Sequence, residues 1–239
     1  MPMKRKDTAA ILVCAGNATR MGGIHKILHS LGDTTVLHQV LRSFCQCESI
    51  AGLVVICRKQ DIDEFQRSIA EIEDELHQPV TVTAGGETRQ QSVQNGVSAL
   101  PFDAAYIAVH DGARPLIRPA DIEHVIADAR ISGAATLGVP VKDTIKLVQD
   151  GIIKETPERA LLWQTQTPQV FRLNLYRQAM QLAAEQGKDY TDDCQLMEAL
   201  GVPVTMTEGA YSNIKLTTPD DFAVAEALLR LNEEEESNG

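Results

Sequence analysis

The feature that most constrains this chain is the alternation of short apolar runs with longer segments whose apolar residues recur every three or four positions. A continuous apolar run fits a strand buried on both faces, and the longer spacing fits one face of a helix. The runs occupy residues 11–14, 53–56, 80–82, 106–109 and 135–139. Because strands and helices alternate, the sequence predicts a mostly parallel sheet with helices on both faces and right-handed crossovers.

The alternation stops between residues 141 and 163. Two stretches of this segment, 144–148 and 152–154, flank the turn signal Asp150-Gly151. Such a pattern is typical of a β-hairpin. We therefore expect an arm that leaves the domain.

Helical patterns return after the arm. They cover residues 173–186 and 191–200, and a last helix is expected to begin with Thr218 as its N-cap and Pro219 in its first turn. The chain has no linker rich in Pro, Gly or Ser, so we predict a single Rossmann-like α/β domain over residues 1–239. The acidic residues 232–239 are expected to form a disordered tail.

Composition narrows the class of partner. The net charge of −11 and an aromatic content of 4% argue against a nucleic-acid footprint or a membrane-binding surface. Five cysteines without CxxC spacing indicate reduced thiols rather than a disulfide framework. The apolar run 9–15 is too short to span a bilayer, so a cytoplasmic location is expected.

The first predicted strand leads into a loop of small residues, 14–26, that carries Arg20 and Lys26. Ligands of open parallel sheets bind outside the carboxyl ends of the strands, and a small-residue loop there brings backbone N–H groups close to phosphates. The loop matches neither GxGxxG nor a P-loop. A tight connection with exposed cations remains an alternative.

Two further motifs follow predicted strands. Gly85-Gly86 precedes a helix whose start includes Arg89, which is equally suited to a structural ion pair. Asp111 stands at the end of the fourth strand and suits a ribose hydroxyl or a metal, or a structural pair with Arg114. His110 is interpreted as a core histidine.

Taken together, these motifs resemble the 2-C-methyl-D-erythritol 4-phosphate cytidylyltransferase family over about residues 10–229. The resemblance rests on six groups in the same order. They are Ala15-Gly16 with Arg20-Met21, Gly85-Gly86 with Arg89 and Ser92, His110 to Pro115, Pro140-Val141 with Asp143 to Lys146 and Arg159, Thr167-Pro168-Gln169 with Thr191-Asp192, and Asn213-Ile214-Lys215 with Thr217.

The resemblance implies the fold of nucleotide-diphospho-sugar transferases and a transfer of cytidylyl from CTP to a sugar-alcohol phosphate, with Mg²⁺ as cofactor. It also implies a homodimer in which the arms are exchanged, so that each arm acts on the partner's site. The implied catalytic residues are Arg20, Lys26, Arg159 and Lys215. The implied nucleotide-binding residues are Cys14, Ala15, Gly16, Gly86, Glu87, Ser92 and Gly112. The implied substrate-binding residues are Asp111, Arg114, Thr144, Thr167 and Thr191. No residue is assigned as a metal ligand, because Mg²⁺ is expected mainly on the CTP phosphates.

The chain departs from the family pattern in the first loop. Ala18 stands where a second Gly is usual, residues 20–26 are one residue short, and His25 replaces a Pro. A Cβ at Ala18 restricts the backbone angles that glycine allows. The geometry of the loop, more than its role, is therefore open.

Two alternatives remain from the sequence, and a third, a dehydrogenase, is set aside. A ribitol-5-phosphate cytidylyltransferase has the same chemistry and a different acceptor pocket. A nicotinamide-dependent dehydrogenase requires an acid at the end of the second strand, where this chain has Cys57-Arg58-Lys59. A catalytically silent nucleotide-binding protein is disfavoured by the retained cations.

Overall fold

The structure is a computed structural model that describes residues 5–16 and 26–237, with the side chains of 232–237 left aside. Arg20, Ala18 and His25 lie outside the described residues. The expectations that concern them stay predictions.

The central sheet confirms the predicted α/β architecture. Its strands are β1 (Thr8–Val13), β4 (Ile50–Cys57), β5 (Val80–Ala84), β6 (Tyr106–Asp111), β7 (Ala134–Pro140), β10 (Trp163–Arg172) and β11 (Thr205–Glu208). They are arranged in the order β11-β7-β10-β6-β1-β4-β5, and every pair is parallel except those that β10 makes with β6 and β7. The carboxyl ends of β1, β4 and β6 therefore lie along one edge.

Two strands of this sheet were not predicted from the sequence. The antiparallel strand β10 lies between β6 and β7, and its residues 166–171 are buried although most of them are polar or proline. Pro168 is tolerated there because the pairing with β7 is irregular between Thr165 and Gln169. The short edge strand β11 is largely polar and exposed, which leaves little hydrophobic pattern.

Helices cover both faces of the sheet, as predicted. They are α1 (Val36–Cys45), α2 (Ile62–Ala70), α3 (Arg89–Ser98), α4 (Pro119–Ser132), α5 (Leu173–Glu185), α6 (Asp193–Ala199) and α7 (Asp220–Ser237). In β1, Ala10 and Leu12 face a core shared with α1, α4 and α7, whereas Ala9 and Ile11 face a core shared with α3, α5 and α6. Each fully buried aliphatic side chain stabilises such a core by about 1.5–3 kcal/mol.

Two helix starts and the C-terminus differ from the sequence predictions. Helix α6 begins at Asp193, two residues later than expected. Helix α7 begins at Asp220, and the carboxylate of Asp221 in its first turn accepts hydrogen bonds from the backbone N–H groups of Thr217 and Thr218, which ties the preceding segment to the helix. Residues 232–237 continue α7 where a disordered tail was predicted, because glutamate extends an existing helix at little cost.

The arm is present as a two-stranded antiparallel hairpin of β8 (Leu147–Gln149) and β9 (Ile152–Glu155). Asp150 and Gly151 both have positive φ, 52° and 75°, as the tight hairpin turn requires. The first strand starts three residues after Thr144, where the sequence pattern had placed its beginning. A second small hairpin, β2 (Ser30–Leu31) with β3 (Thr34–Thr35), precedes α1.

No helix among the residues described is long and apolar enough to cross a bilayer.

Candidate active site

A cavity of about 260 Å³ opens at the carboxyl edge of the sheet, between the end of β1, the end of β6 and the start of α3. Residues from all three predicted motifs line it. They include Cys14, Ala15, Gly16, Lys26, Gly86, Glu87, Thr88 and Ser92. The first loop and the Gly85-Gly86 turn therefore line the same cavity.

A second cavity of about 400 Å³ adjoins the first on the side of β10. Its wall includes Arg114, Gln166, Thr167, Gln169, Thr191 and Asp192. Three residues, Arg89, Asp111 and Lys215, line both cavities. The two spaces thus meet at a border made of one carboxylate and two cations.

The Gly85-Gly86 turn is fixed by the first residues of α3. The hydroxyl of Ser92 accepts from the Gly86 N–H at 3.0 Å and donates to the Thr88 carbonyl at 2.8 Å. A Cβ at Gly85 would lie 2.8 Å from the Ala15 Cβ and 2.8 Å from the Ser92 Oγ. Glycine is therefore required where the two loops come together.

Asp111 carries most of the electrostatics at the border. Its carboxylate lies 2.8 Å from the Lys215 ammonium and 3.8 Å from each of the guanidinium groups of Arg89 and Arg114. Burial alone raises the pKa of Asp111, but these positive charges outweigh it and lower the pKa to about 2. Asp111 is thus ionised at any physiological pH.

Lys26 and Lys215 are held by the same segment. The ammonium of Lys26 donates to the Leu216 carbonyl at 3.2 Å, and Leu216 N–H donates to the Ala113 carbonyl at 2.8 Å. Asn213, fully buried just before Lys215, donates to the Thr167 carbonyl. Two cations from distant parts of the chain therefore line one cavity.

His110 is a core residue, as the sequence suggested. One ring nitrogen donates to the Arg114 carbonyl, which can only accept. The other ring nitrogen accepts from the Thr167 hydroxyl, which in turn accepts from the Asp111 N–H at 3.0 Å. Burial lowers the pKa of His110 to about 4, so the ring is neutral and fixes Thr167 in the second cavity.

Three of the predicted site residues lie away from both cavities. Thr144 and Arg159 are exposed on the arm, and Arg159 donates to the Lys142 carbonyl. Gly112 is absent from the linings described. It donates its N–H to the Val13 carbonyl and leaves no room for a Cβ beside the Cys14 Sγ, so it serves close packing rather than contact with a ligand in this cavity.

The lining residues that the sequence did not assign to the site include Arg89, Gln169 and Asp192. Arg89 had been noted beside the glycine pair, and its ion pair with Asp193 confirms the structural interpretation as well. Gln169 donates to Asp192 across the second cavity. Gln169 belongs to β10, a strand whose buried residues are mostly polar or proline and therefore form little hydrophobic pattern.

An open α/β sheet with glycine-rich loops and cations at its carboxyl edge defines a nucleotide-binding transferase, and the adjoining cavity indicates a second substrate. Comparison with known proteins identifies the family. The profile of 2-C-methyl-D-erythritol 4-phosphate cytidylyltransferases matches residues 8–231. The chain belongs to this family, and it is a nucleotidyltransferase.

Individual relatives agree with the family profile. The 2-C-methyl-D-erythritol 4-phosphate cytidylyltransferase of Desulforamulus reducens is 43% identical, with 94% of this chain and 96% of the relative covered. The protein of the same name from Syntrophotalea carbinolica is 44% identical, with 92% and 94% covered. The crystal structure of 4-diphosphocytidyl-2C-methyl-D-erythritol synthase from Anaerococcus prevotii superposes with a TM-score of 0.82 at 28% identity, over 94% of this chain and 96% of that one. The fold is that of nucleotide-diphospho-sugar transferases.

Proposed function

We propose that this chain transfers the cytidylyl group of CTP to 2-C-methyl-D-erythritol 4-phosphate and releases pyrophosphate, as a step of the non-mevalonate route to isoprenoid precursors. The observation that carries the proposal is the pair of adjoining cavities with a shared border at Asp111, Lys215 and Arg89. A transfer between two phosphate-bearing substrates requires such a junction. Family membership supplies the identity of the two substrates.

CTP is assigned to the cavity at the end of β1. The backbone near Ala15 and the turn at Gly86 both line this cavity, and the close approach of Gly85 to Ala15 leaves no room there for a side chain. Lys26 and, from outside the described residues, Arg20 are assigned to the phosphates. Their charge stabilises the negative charge that develops on the α-phosphate and on the leaving pyrophosphate.

The acceptor is assigned to the second cavity. Gln169 is 1% exposed, and its side-chain oxygen has no hydrogen-bond partner among the residues described. A buried carbonyl oxygen without a donor is costly, and a hydroxyl group of a polyol would satisfy it. Thr167, Thr191 and Arg114 supply further polar groups for a small sugar-alcohol phosphate.

The reaction is a displacement at the α-phosphorus. An oxygen of the acceptor phosphate forms the new bond to phosphorus, the bond to the bridging oxygen of pyrophosphate breaks, and pyrophosphate leaves with both electrons of that bond. Lys215 stands at the border, where it would hold the acceptor phosphate in line with the α-phosphate. Positioning and charge stabilisation account for the rate, because the protein forms no bond to the substrate.

Mg²⁺ is proposed as cofactor on the chemistry of the donors present. The described residues hold no cluster of three or more His, Cys, Asp or Glu side chains fit to bind a metal. Asp111 is ionised and lines both cavities. A single carboxylate at this place fits Mg²⁺, which is commonly bound by one or two carboxylates and substrate phosphates. The ion would neutralise charge on the triphosphate.

A homodimer is proposed from the arm. The described side chains of the arm expose a large apolar surface, in which Leu147, Val148, Ile152, Ile153 and Leu161 are each more than half accessible. Apolar surface of this extent on a hairpin favours burial against another protein surface. In the exchanged arrangement of the family, Arg159 would act at the partner's site, which explains its distance from both cavities of its own chain.

The experiment that tests the function measures pyrophosphate release from each of CTP, UTP, ATP and GTP with Mg²⁺ and one of two acceptors. We expect pyrophosphate release only from the combination of CTP and 2-C-methyl-D-erythritol 4-phosphate. A greater kcat/KM with ribitol 5-phosphate than with 2-C-methyl-D-erythritol 4-phosphate would favour a ribitol-5-phosphate cytidylyltransferase. Binding of CTP by calorimetry without release under any condition would refute the proposal.

A further inference from the structure

A buried carboxylate lies beneath the border between the cavities. Asp193, at the start of α6, is 1% exposed. One of its oxygens accepts from the Tyr176 hydroxyl at 2.6 Å, and the other accepts from the guanidinium of Arg89. Both oxygens are thus held by a donor, and the orientation of the carboxylate is fixed.

Arg89 extends this arrangement to the border. One of its terminal nitrogens binds Asp193, while the other lies 3.8 Å from the Oδ1 atom of Asp111. The Oδ2 atom of Asp111 pairs with Lys215. Asp193 therefore binds Arg89 through the Nη1 atom, whereas the Nη2 atom is the one near Asp111. The carboxylate of Asp111 remains available to Lys215.

We propose that Tyr176 and Asp193 are positioning residues for Lys215. They act through Arg89, which stays bound to Asp193 only while the Tyr176 hydroxyl fixes that carboxylate. Tyr176 lies in α5, is fully buried and contributes to the lining of neither cavity described above. The assignment rests on the proposed function of the site.

The physical argument is one of competition for Asp111. Without the tyrosine hydroxyl, one oxygen of Asp193 is left buried and unsatisfied, so the carboxylate is no longer fixed in the orientation that keeps Arg89 in its present place. Arg89 then pairs with Asp111, because a guanidinium binds a carboxylate through two nitrogens better than an ammonium does. Lys215 loses its partner and its fixed position.

The test is the variant Tyr176→Phe, which removes the hydroxyl and keeps the ring. We expect kcat to fall about tenfold and the KM for the acceptor to rise, with the KM for CTP within about twofold of the wild-type value. Tyr106→Phe is the matched control. Tyr106 is also buried, but it lies at the amino end of β6, away from the cleft.

A second measurement follows Lys215 without any substrate. The Lys215 side chain is 43% exposed, so trace labelling with acetic anhydride and mass spectrometry can report its reactivity relative to the exposed Lys59. A lysine amine released from its hydrogen bond to a carboxylate is more accessible to the reagent and is labelled faster. We expect labelling of Lys215 to rise about threefold in Tyr176→Phe and not in Tyr106→Phe.

The proposal is overturned if the folded variant keeps wild-type kinetic constants, or if kcat falls while Lys215 labelling is unchanged. If Tyr176→Phe does not fold, Arg89→Lys takes its place, with Arg58→Lys as control, since Arg58 makes a comparable ion pair with Asp61 outside both cavities. If the wild type releases no pyrophosphate, the function fails, and the labelling result still decides the role of Tyr176.

Discussion

The ammonium of Lys215 lies 2.8 Å from a carboxylate oxygen of Asp111, although 104 residues separate the two in sequence. Asp111 ends β6, and Lys215 belongs to the loop that precedes α7. Their pairing places a cation at the point where the two cavities meet. The pair is only partly shielded from water, since the lysine side chain is 43% exposed. It therefore contributes little to stability, and its main effect is to position the ammonium.

Replacing Lys215 by Ala should lower kcat by about 10²-fold or more, the scale expected when one charge-stabilising donor is lost. The reason is that the acceptor phosphate would lose the cation that aligns it. Steady-state pyrophosphate release measures the effect. Lys59→Ala, which removes an exposed lysine outside both cavities, should retain wild-type activity. A decrease in kcat of less than about tenfold in Lys215→Ala would show that Lys215 does not take part in the mechanism.

Gly16, in the first loop, and Gly112, which packs against Cys14 of that loop, should respond differently to alanine. Gly112→Ala forces a Cβ against the Cys14 Sγ and should destabilise the fold by about 1–3 kcal/mol. A Cβ at Gly16 meets no described atom within 4 Å, so Gly16→Ala should leave stability within about 0.5 kcal/mol. If CTP binds close to the Gly16 backbone, the KM for CTP should rise about tenfold in Gly16→Ala. Urea unfolding and initial rates measure the two effects, and a stable Gly112→Ala would contradict the packing role.

The buried His110 predicts a dependence of stability on pH. Its pKa is about 4 in the folded chain and near 6.5 when exposed. Between these values the unfolded chain binds a proton that the folded chain does not, so the free energy of unfolding decreases as the pH falls from about 6.5 to 4. The decrease in the free energy of unfolding amounts to about 3 kcal/mol at pH 4.

Urea unfolding of wild type and His110→Gln across this window provides the measurement. The slope should be smaller in the variant, since glutamine does not titrate. Asp111 should not contribute within this window, because its folded pKa near 2 makes its stabilising effect disappear only below about pH 4. Equal slopes in the two proteins would show that His110 is not the group responsible.

The sequence predicted those parts of the fold that depend on apolar burial. Strands β1, β4, β6 and β7 are buried on both faces, and their continuous apolar runs reveal them. Strand β10 was not predicted because the buried side chains of Gln166, Thr167 and Gln169 are polar. They are accommodated by partners such as Asn213 and His110, which lie more than 40 residues away.

The site was predictable where it depends on local chemistry. Glycines and cations at the carboxyl ends of strands identified the cavity at the end of β1, because that edge binds ligands in open sheets. The role of Arg89 was not predictable in the same way. Its partner Asp193 is 104 residues distant, and only the tertiary structure places Tyr176 beside it.

Arm exchange predicts that two inactive variants complement each other. Arg159→Ala and Lys215→Ala should each be nearly inactive alone. In a dimer that contains one copy of each, one site receives both wild-type residues, so an equimolar co-refolded mixture should recover about a quarter of wild-type activity. If Arg159 acts within its own chain, the mixture should be no more active than its components.

The mechanism depends on a direct attack of the acceptor phosphate on CTP across the border at Asp111 and Lys215. The thiol of Cys14 and the hydroxyl of Ser92 line the described part of the cavity at the end of β1. Burial raises the pKa of the Cys14 thiol, and the Ser92 hydroxyl donates to the Thr88 carbonyl. Neither group is activated to form a covalent intermediate.

The stereochemical course at the α-phosphorus decides between direct transfer and a covalent nucleotidyl-enzyme. The substrate is CTP in which one sulfur replaces an oxygen of the α-phosphate, with known configuration at that phosphorus. The enzyme converts this substrate, and phosphorus NMR determines the configuration of the product. One in-line displacement inverts the configuration, and this is the result we predict. Retention would require two displacements through a nucleotidyl-enzyme and would contradict direct transfer.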